Sequence, residues 1–144
     1  MTAKQYLSSL KRLDSIIKQK TEELEDLKLK SKSIRSIDYS AERVQKSPST
    51  DAPFVKILDN IVDLSNEIAE DIDRLIAQQH TIIFQIQELK NPIHIDILYK
   101  KYVQFKRLEK IAVEMNYNYE YIRQLHGHAL CAFEKNFDFL KKLT

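Results

Sequence analysis

Residues 108–125 read LEKIAVEMNYNYEYIRQL, and this stretch carries the most specific structural information in the chain. Two helical patterns flank an interruption at residues 115–118, which contains two asparagines. Asn accepts left-handed backbone geometry more readily than most residues, so Asn116 suits a turn between two packed helices. Seven positions hold the residue types that a helix-turn-helix requires: Ile111, Ala112, Met115, Asn116, Tyr117, Ile122 and Leu125. We therefore predict a helix-turn-helix whose second helix begins near Tyr119.

A further helix boundary lies upstream, at Asn91-Pro92. Asn is a preferred helix cap and Pro is favoured at the first helical position, so a helix is predicted to begin there. Its apolar residues recur at helical spacing as far as Val103, and another helix is predicted from about Arg107 to Glu114. Residues 91–144 are therefore predicted to form a helix-turn-helix domain.

Residues 1–90 carry two long apolar stripes that predict a helical hairpin. The first helix, about residues 3–32, has a heptad seam in which Lys20 fills the one interrupted position: Tyr6, Leu10, Leu13, Ile17, Leu24 and Leu27. The second runs from near Pro53 to about Lys90, with the seam Ile57, Ile61, Leu64, Ile68, Ile72, Leu75, Ile82, Ile86 and Leu89. Two long helices of similar length are expected to pair antiparallel as a coiled coil. Residues 33–53, rich in Ser and Pro, are predicted to be a flexible loop.

Adjacent apolar pairs widen the stripes beyond a two-stranded seam, for example Ile16-Ile17, Ile61-Val62 and Leu75-Ile76. We predict that the hairpin forms a homodimer or a higher homo-oligomer through a four-helix bundle. The alternative is that it packs on its own C-terminal domain. Acidic residues recur every four positions at Asp59, Asp63, Glu67 and Asp71, which indicates a solvated face balanced by lysines of the first helix. A patch for a basic partner is the alternative interpretation.

Composition narrows the function classes. The 144 residues include one Gly, three Pro and no Trp, which favours a few long helices and therefore an all-α fold. A single glycine leaves no Gly-rich phosphate loop, and no catalytic constellation is visible, so we expect neither an enzyme nor a cofactor or metal. Cys131 is the only cysteine and is expected to be a core thiol. No apolar run suits a signal peptide or a membrane span, so a cytoplasmic protein is expected.

The charge is asymmetric along the chain. Residues 91–144 hold nine Lys and Arg against six Asp and Glu, whereas residues 1–90 hold fourteen against fifteen. Positive charge in the C-terminal part is the electrostatic pattern of a nucleic-acid-binding domain.

The run YIRQLHGHAL at residues 121–130, preceded by LEKIA at 108–112, resembles the helix-turn-helix of region four in the primary bacterial sigma factors. The whole chain is similar to small phage and prophage transcriptional regulators of the RinA/ArpU-like group, including its opening MTAKQYL, the run ERVQ at 42–45 and YVQF at 102–105. The resemblance implies regulation, with activation expected, of phage or prophage genes in a bacterial host. It implies double-stranded DNA as the partner and suggests contact with RNA polymerase.

Helical geometry turns Ile122, Leu125, Ala129 and Leu130 inward, which leaves one face of the last helix for DNA. The residues predicted to read bases are Tyr119, Glu120, Arg123 and Gln124. Those predicted to contact phosphates are Lys106, Arg107, Lys110, Asn118 and His128. Sigma region four has basic residues where this chain has Tyr119 and Tyr121, so an operator other than the usual minus-35 element is expected.

Two other function classes remain open from the sequence. Small terminase subunits, which recognise DNA for packaging, also combine a helix-turn-helix with an oligomerising hairpin, although usually in the opposite order. A coiled-coil adaptor that binds a protein partner would carry a degenerate helix-turn-helix and would not retain DNA at about 150 mM salt.

Overall fold

The computed structural model describes residues 1–40 and 48–137, and within these ranges every regular element is a helix. The prediction of an all-α fold is confirmed. The elements are α1 (Ala3–Ser40), α2 (Pro48–Gln87), α3 (Pro92–Leu98), which continues as one π-helical turn (Tyr99–Val103), α4 (Leu108–Met115) and α5 (Tyr119–Asn136). None of the helices in the described part combines the length and apolar character needed to cross a membrane.

Both long helices extend farther into the predicted loop than the sequence indicated. The prediction of a loop is wrong for residues 33–40 and 48–53, which are helical, while residues 41–47 lie outside the described residues. Residues 31–40 contain neither Gly nor Pro, and an interior Ser costs a helix only about 0.5 kcal/mol relative to Ala. Pro48 rather than Pro53 takes the first helical position, where a backbone N–H is not needed.

Packing divides the chain into two compact units, Met1–Asp14 with Leu75–Thr144 and Ser15–Arg74. In the first unit α1 and α2 run antiparallel, as predicted. The Tyr6 hydroxyl donates to Gln85 Oε1 at 2.7 Å, and the Gln78 amide donates to the Ser9 hydroxyl, so later residues of α1 meet earlier residues of α2.

The main core of the first unit joins the beginning of α1 and the end of α2 to the C-terminal helices. Its buried residues are Ala3, Leu7, Leu10, Ile82, Ile86, Leu89, Leu98, Tyr102, Val103, Ala129 and Phe133. The contacts divide the chain at Asp14 and Leu75. The division near residue 90 into a hairpin and a helix-turn-helix domain stays a prediction. Cys131 is exposed, so the expectation of a core thiol is wrong. It lies two residues from both Ala129 and Phe133, and a helix turns about 200° over two residues.

The second unit contains a polar pair in its helical seam. Asp71 is buried, whereas Ile72 is exposed, so the prediction of Ile72 in the seam is wrong. Steps of four and three from Leu64 lead through Ile68 to residue 71, which explains the difference. Lys20 Nζ donates to Asp71 Oδ2 at 2.6 Å and lies 3.5 Å from Glu67, so a first-helix lysine balances these two acids, as predicted. The hydrogen bond to Asp71 raises the pKa of Lys20.

A second apolar stripe on α2 faces solvent in the same unit. Val55, Leu58, Val62 and Ile72 are all at least 40% exposed, and their spacing of three, four and ten residues fits one heptad register. We call this set the outer stripe. Of the adjacent apolar pairs named in the sequence analysis, it includes Val62.

Candidate nucleic-acid interface

The turn between α4 and α5 is built on Asn116, whose backbone is left-handed with φ 60° and ψ 39°. The N–H groups that follow α4 close its end, since Asn116 donates to the Val113 carbonyl at 3.3 Å and Tyr117 to the Ala112 carbonyl at 3.0 Å. Asn118 then caps α5, because its Oδ1 accepts from the Tyr121 N–H at 2.8 Å. The predicted interruption and the predicted start at Tyr119 are confirmed.

A small core of its own holds α4 against α5. Ile97, Ile111, Ala112 and Ile122 are buried together, and a ring of partly buried residues packs around them: Ile93, Leu108, Met115 and Leu125. The inward positions predicted on α5 are therefore confirmed, with Ala129 buried and Leu130 partly buried in the main core. Tyr117, which holds one of the seven helix-turn-helix positions, is 39% exposed and packs edge-on against the Tyr121 ring, with ring centroids 5.1 Å apart.

The four residues predicted to read bases lie together on the solvent-facing side of the first two turns of α5. Tyr119, Glu120, Arg123 and Gln124 are all exposed. Arg123 Nη2 donates to Glu120 Oε2 at 3.0 Å. Because both side chains are at least 60% exposed, this ion pair is weak and is easily exchanged for another partner.

The residues predicted to contact phosphates are less uniform. Arg107, Lys110 and His128 are exposed. Lys106 is held by Glu114 at 2.8 Å, and the same carboxylate accepts from Lys100 at 2.8 Å. These hydrogen bonds, from Lys100 and then Lys106, lower the pKa of Glu114 to about 2.

The side chain of Asn118 is also partly committed. Its Oδ1 is used in capping α5, which leaves only the amide nitrogen to donate to a phosphate. The structure therefore leaves Arg107, Lys110, His128 and the Asn118 amide nitrogen as predicted phosphate contacts, whereas the Lys106 ammonium group is already paired with Glu114.

A basic pocket that the sequence analysis missed lies in the first unit. A cavity of about 150 Å³ is lined by Lys4, Ser8, Lys11, Lys101, Lys106 and Arg107, together with the Tyr102 and Phe105 rings. Lys4, Ser8 and Lys11 share one face of α1, which is visible in the sequence. What the sequence does not show is that this face meets the segment 101–107.

A partly buried hydrogen bond connects α5 to the π-helical turn. The Tyr102 hydroxyl lies 2.7 Å from His126 Nε2, and the two rings stack with centroids 5.7 Å apart. Burial raises the pKa of Tyr102 to about 12. Burial, and then the charges of Lys101 and Lys4, lower the pKa of His126 to about 4. His126 is therefore neutral at pH 7.

We expect the free energy of unfolding to fall as the pH drops from 6.5 towards 4. The pKa of His126 is depressed in the folded state, so the unfolded chain binds more protons in this range. The contribution is fully present above pH 6.5. Its loss should reach about 1 to 2 kcal/mol, less than the pKa difference alone implies because the ring is partly exposed to solvent. Urea titrations at pH 7 and pH 5 measure it.

His126→Gln should reduce this pH dependence, because glutamine retains a hydrogen-bonding group for Tyr102 and does not titrate. A smaller dependence should remain, since burial and then the charge of His128 also lower the pKa of His94. His80→Gln, which replaces an exposed histidine, is the matched control and should leave the dependence unchanged. Glu114 does not affect the comparison of pH 7 with pH 5. Its contribution to the free energy of unfolding is lost only as the pH falls below its ordinary pKa of 4.5. An equal pH dependence in wild type and His126→Gln would contradict the assignment.

Comparison with known proteins gives no match: no family model, no curated protein and no solved structure matches the chain.

Proposed function

We propose that this chain is a sequence-specific DNA-binding transcriptional regulator of phage or prophage genes, acting as an activator in the cytoplasm of a bacterial host. One observation carries the proposal. The exposed first turns of α5 follow directly from the left-handed turn at Asn116 and are backed by the small core around Ile122. A helix supported on one face and free on the other has the form that enters the major groove of B-DNA.

The exposed side chains suit base edges. Glu120 can accept from the amino group of cytosine, Gln124 can pair with adenine, and Arg123 can donate to guanine after it leaves Glu120. Tyr119 offers an aromatic ring and a hydroxyl at the start of the helix. The resemblance of residues 108–130 to sigma region four supports the same orientation, and it is the basis for proposing activation near a promoter.

Phosphate contacts would fix the register of α5 on the duplex. Arg107 is the cap residue before α4 and Lys110 lies in the first turn of that helix, so both can donate beside the groove. His128 and the amide nitrogen of Asn118 would add contacts from α5. Lys106 contributes less, because Glu114 balances its charge.

We also propose that the chain works as a homodimer that associates through the outer stripe of α2. Exposed apolar residues in one heptad register are the pattern of a helix that packs against another helix. A two-fold dimer would present two copies of α5 to the two halves of a palindromic site. This arrangement fits a regulator better than it fits a packaging ring.

Placing a charge at two positions of the outer stripe should abolish the dimer. We expect Val62→Asp with Ile72→Asp to raise the dimer dissociation constant about 100-fold, because each carboxylate would have to be buried without a partner. Sedimentation equilibrium measures it. Leu29→Asp with Val113→Asp is the matched control, since both residues are exposed and lie outside the stripe. A wild-type monomer, or an unaffected double variant, would contradict the proposal.

The function itself is tested by selection from DNA fragments. Purified full-length protein is incubated with sheared bacterial and prophage DNA at about 150 mM salt, and the retained fragments are sequenced. A regulator should enrich one shared motif. Retention of no fragment would overturn the proposal and favour an adaptor. Enrichment by a ring of about eight or more subunits, measured by light scattering, would favour DNA packaging.

A further inference from the structure

The basic pocket holds cations that its own wall does not balance. The residues described along that wall include no carboxylate. Lys106 is bound by Glu114, but Lys4, Lys11, Lys101 and Arg107 have no ion-pair partner within the part of the chain that the structure describes. A concave site with several uncompensated cations concentrates positive potential and attracts anions.

The cations are close enough to act on one another. Burial lowers the pKa of Lys101, and the charges of Lys11, Lys4 and Arg107 lower it further, against the single opposing effect of Glu109. Like charges held together in a partly desolvated site carry a free-energy cost. A bound anion would remove this cost.

The backbone of the pocket wall is held in a defined shape. Gln104 donates to the Tyr99 carbonyl at 3.1 Å and Lys106 to the Lys100 carbonyl at 3.0 Å, which reverses the chain after the π-helical turn. Phe105, at this reversal, has a left-handed backbone with φ 58°. A bulky residue in this region is strained, and such strain persists only where the surrounding structure imposes it. The backbone that carries Lys101, Lys106 and Arg107 therefore has a defined conformation.

We propose that this pocket is a binding site for a phosphate group. Lysine and arginine are the side chains that bind phosphate, and the Ser8 hydroxyl adds a neutral donor. The phosphate can belong to the DNA backbone or to a free phosphorylated compound. That the pocket binds phosphate does not depend on the proposed function. That the phosphate belongs to DNA rests on the proposed function.

The charge of α5 favours the DNA backbone as the source. From Tyr119 to His128 the helix carries one acid, Glu120, and one base, Arg123, so its reading face has no net charge. Neutralisation of phosphates supplies most of the non-specific affinity for DNA, so the cations must lie elsewhere. Phe105, Lys106 and Arg107 also line a neighbouring groove together with Lys110 and one acid, Glu109, so basic side chains continue from the pocket to α4.

The first arm of the test measures the salt dependence of DNA binding. Lys4→Gln with Lys11→Gln is compared with wild type on a 20-base-pair duplex of random sequence, from about 50 to 200 mM salt. We expect the slope of log affinity against log salt to become shallower by about 1, with affinity reduced roughly tenfold at 100 mM salt. Lys30→Gln with Lys32→Gln removes the same charge from two exposed residues of α1 and should change neither quantity.

The second arm uses inorganic pyrophosphate as the probe. In a nitrogen-15 NMR titration of the wild-type chain, we expect shifts of the amides at residues 101–107, and loss of these shifts in Lys4→Gln with Lys11→Gln. Pyrophosphate shifts together with the altered salt slope support a DNA phosphate. Pyrophosphate shifts with an unaltered slope support a free phosphorylated compound and overturn the DNA source.

The absence of both effects would overturn the phosphate site. If the wild type binds no duplex at all, the proposed function fails, and the pyrophosphate titration still decides whether the pocket binds phosphate.

Discussion

Replacing Arg123 and Gln124 together by alanine should weaken binding to the selected DNA site by about 2 to 6 kcal/mol, or from about 30-fold to about 20,000-fold. Each of these side chains can make a two-point contact with one base, worth about 1 to 3 kcal/mol of discrimination. Both are exposed on α5, and neither belongs to the small core. The loss should therefore appear in binding and not in folding. Fluorescence anisotropy on a duplex carrying the selected motif measures it.

Specificity separates base contacts from a general loss of charge. On a duplex of scrambled sequence, the same variant should lose only the affinity that Arg123 contributes by contacting phosphates. Its affinity for that duplex should therefore fall by less than its affinity for the motif. Lys30→Ala with Gln19→Ala is the matched control, since it removes one cation and one amide from exposed positions of α1. Undiminished binding of the motif by the Arg123 and Gln124 variant would show that α5 is not the recognition helix.

The ion pair between Glu120 and Arg123 reduces the net affinity that Arg123 gains by binding to guanine. In the free protein Arg123 already donates to Glu120, so binding to guanine must replace a 3.0 Å hydrogen bond. An exposed pair of this kind is worth about 1 kcal/mol or less. The replacement costs less than a two-point contact gains, and Glu120 is released to accept from a neighbouring cytosine.

Local signals were sufficient to predict α4, α5 and the turn between them. Asn116 in a left-handed turn and Asn91 before Pro92 each depend on a few adjacent residues, and the structure confirms both. The cap at Asn118 is a finding of the structure that the sequence analysis did not predict. The inward residues Ile111 and Ile122 followed from helical spacing, which is equally local. Whether the exposed face binds DNA is a separate question, because exposure alone does not specify a partner.

The errors arose where helical spacing alone does not determine burial. Helical spacing allows either Asp71 or Ile72 to face the first helix, and the apolar character of Ile72 favoured that residue. In the structure Asp71 is the buried one, because its carboxylate pairs with Lys20. Cys131 was assigned by its apolar neighbours, although it faces away from them on the helix. The basic pocket depends on contact between residues about a hundred positions apart, which no pattern in one segment can show.

Phe133→Ala should cost about 3 to 5 kcal/mol of stability, a large share of the roughly 5 to 15 kcal/mol available to a folded domain. The Phe133 side chain is fully buried and joins α5 to residues from both long helices, including Leu7 and Ile82. Its ring lies 4.7 Å from that of Phe137 and 6.1 Å from that of Tyr6. Its removal would leave a cavity where three helices meet, and thermal or urea unfolding measures the loss.

Phe84→Ala is the matched control, because it makes the same substitution at a ring that is 61% exposed. We expect it to change stability by no more than about 0.5 kcal/mol. The comparison also bears on the reading face, since the Ala3 N–H donates to Glu134 Oε1 at 3.0 Å beside Phe133 and ties the beginning of α1 to α5. If Phe133→Ala loosens this junction, binding of the selected DNA should weaken as well, whereas Phe84→Ala should bind normally. Equal stability of the two variants would mean that Phe133 does not anchor α5, and that the small core around Ile122 positions the helix alone.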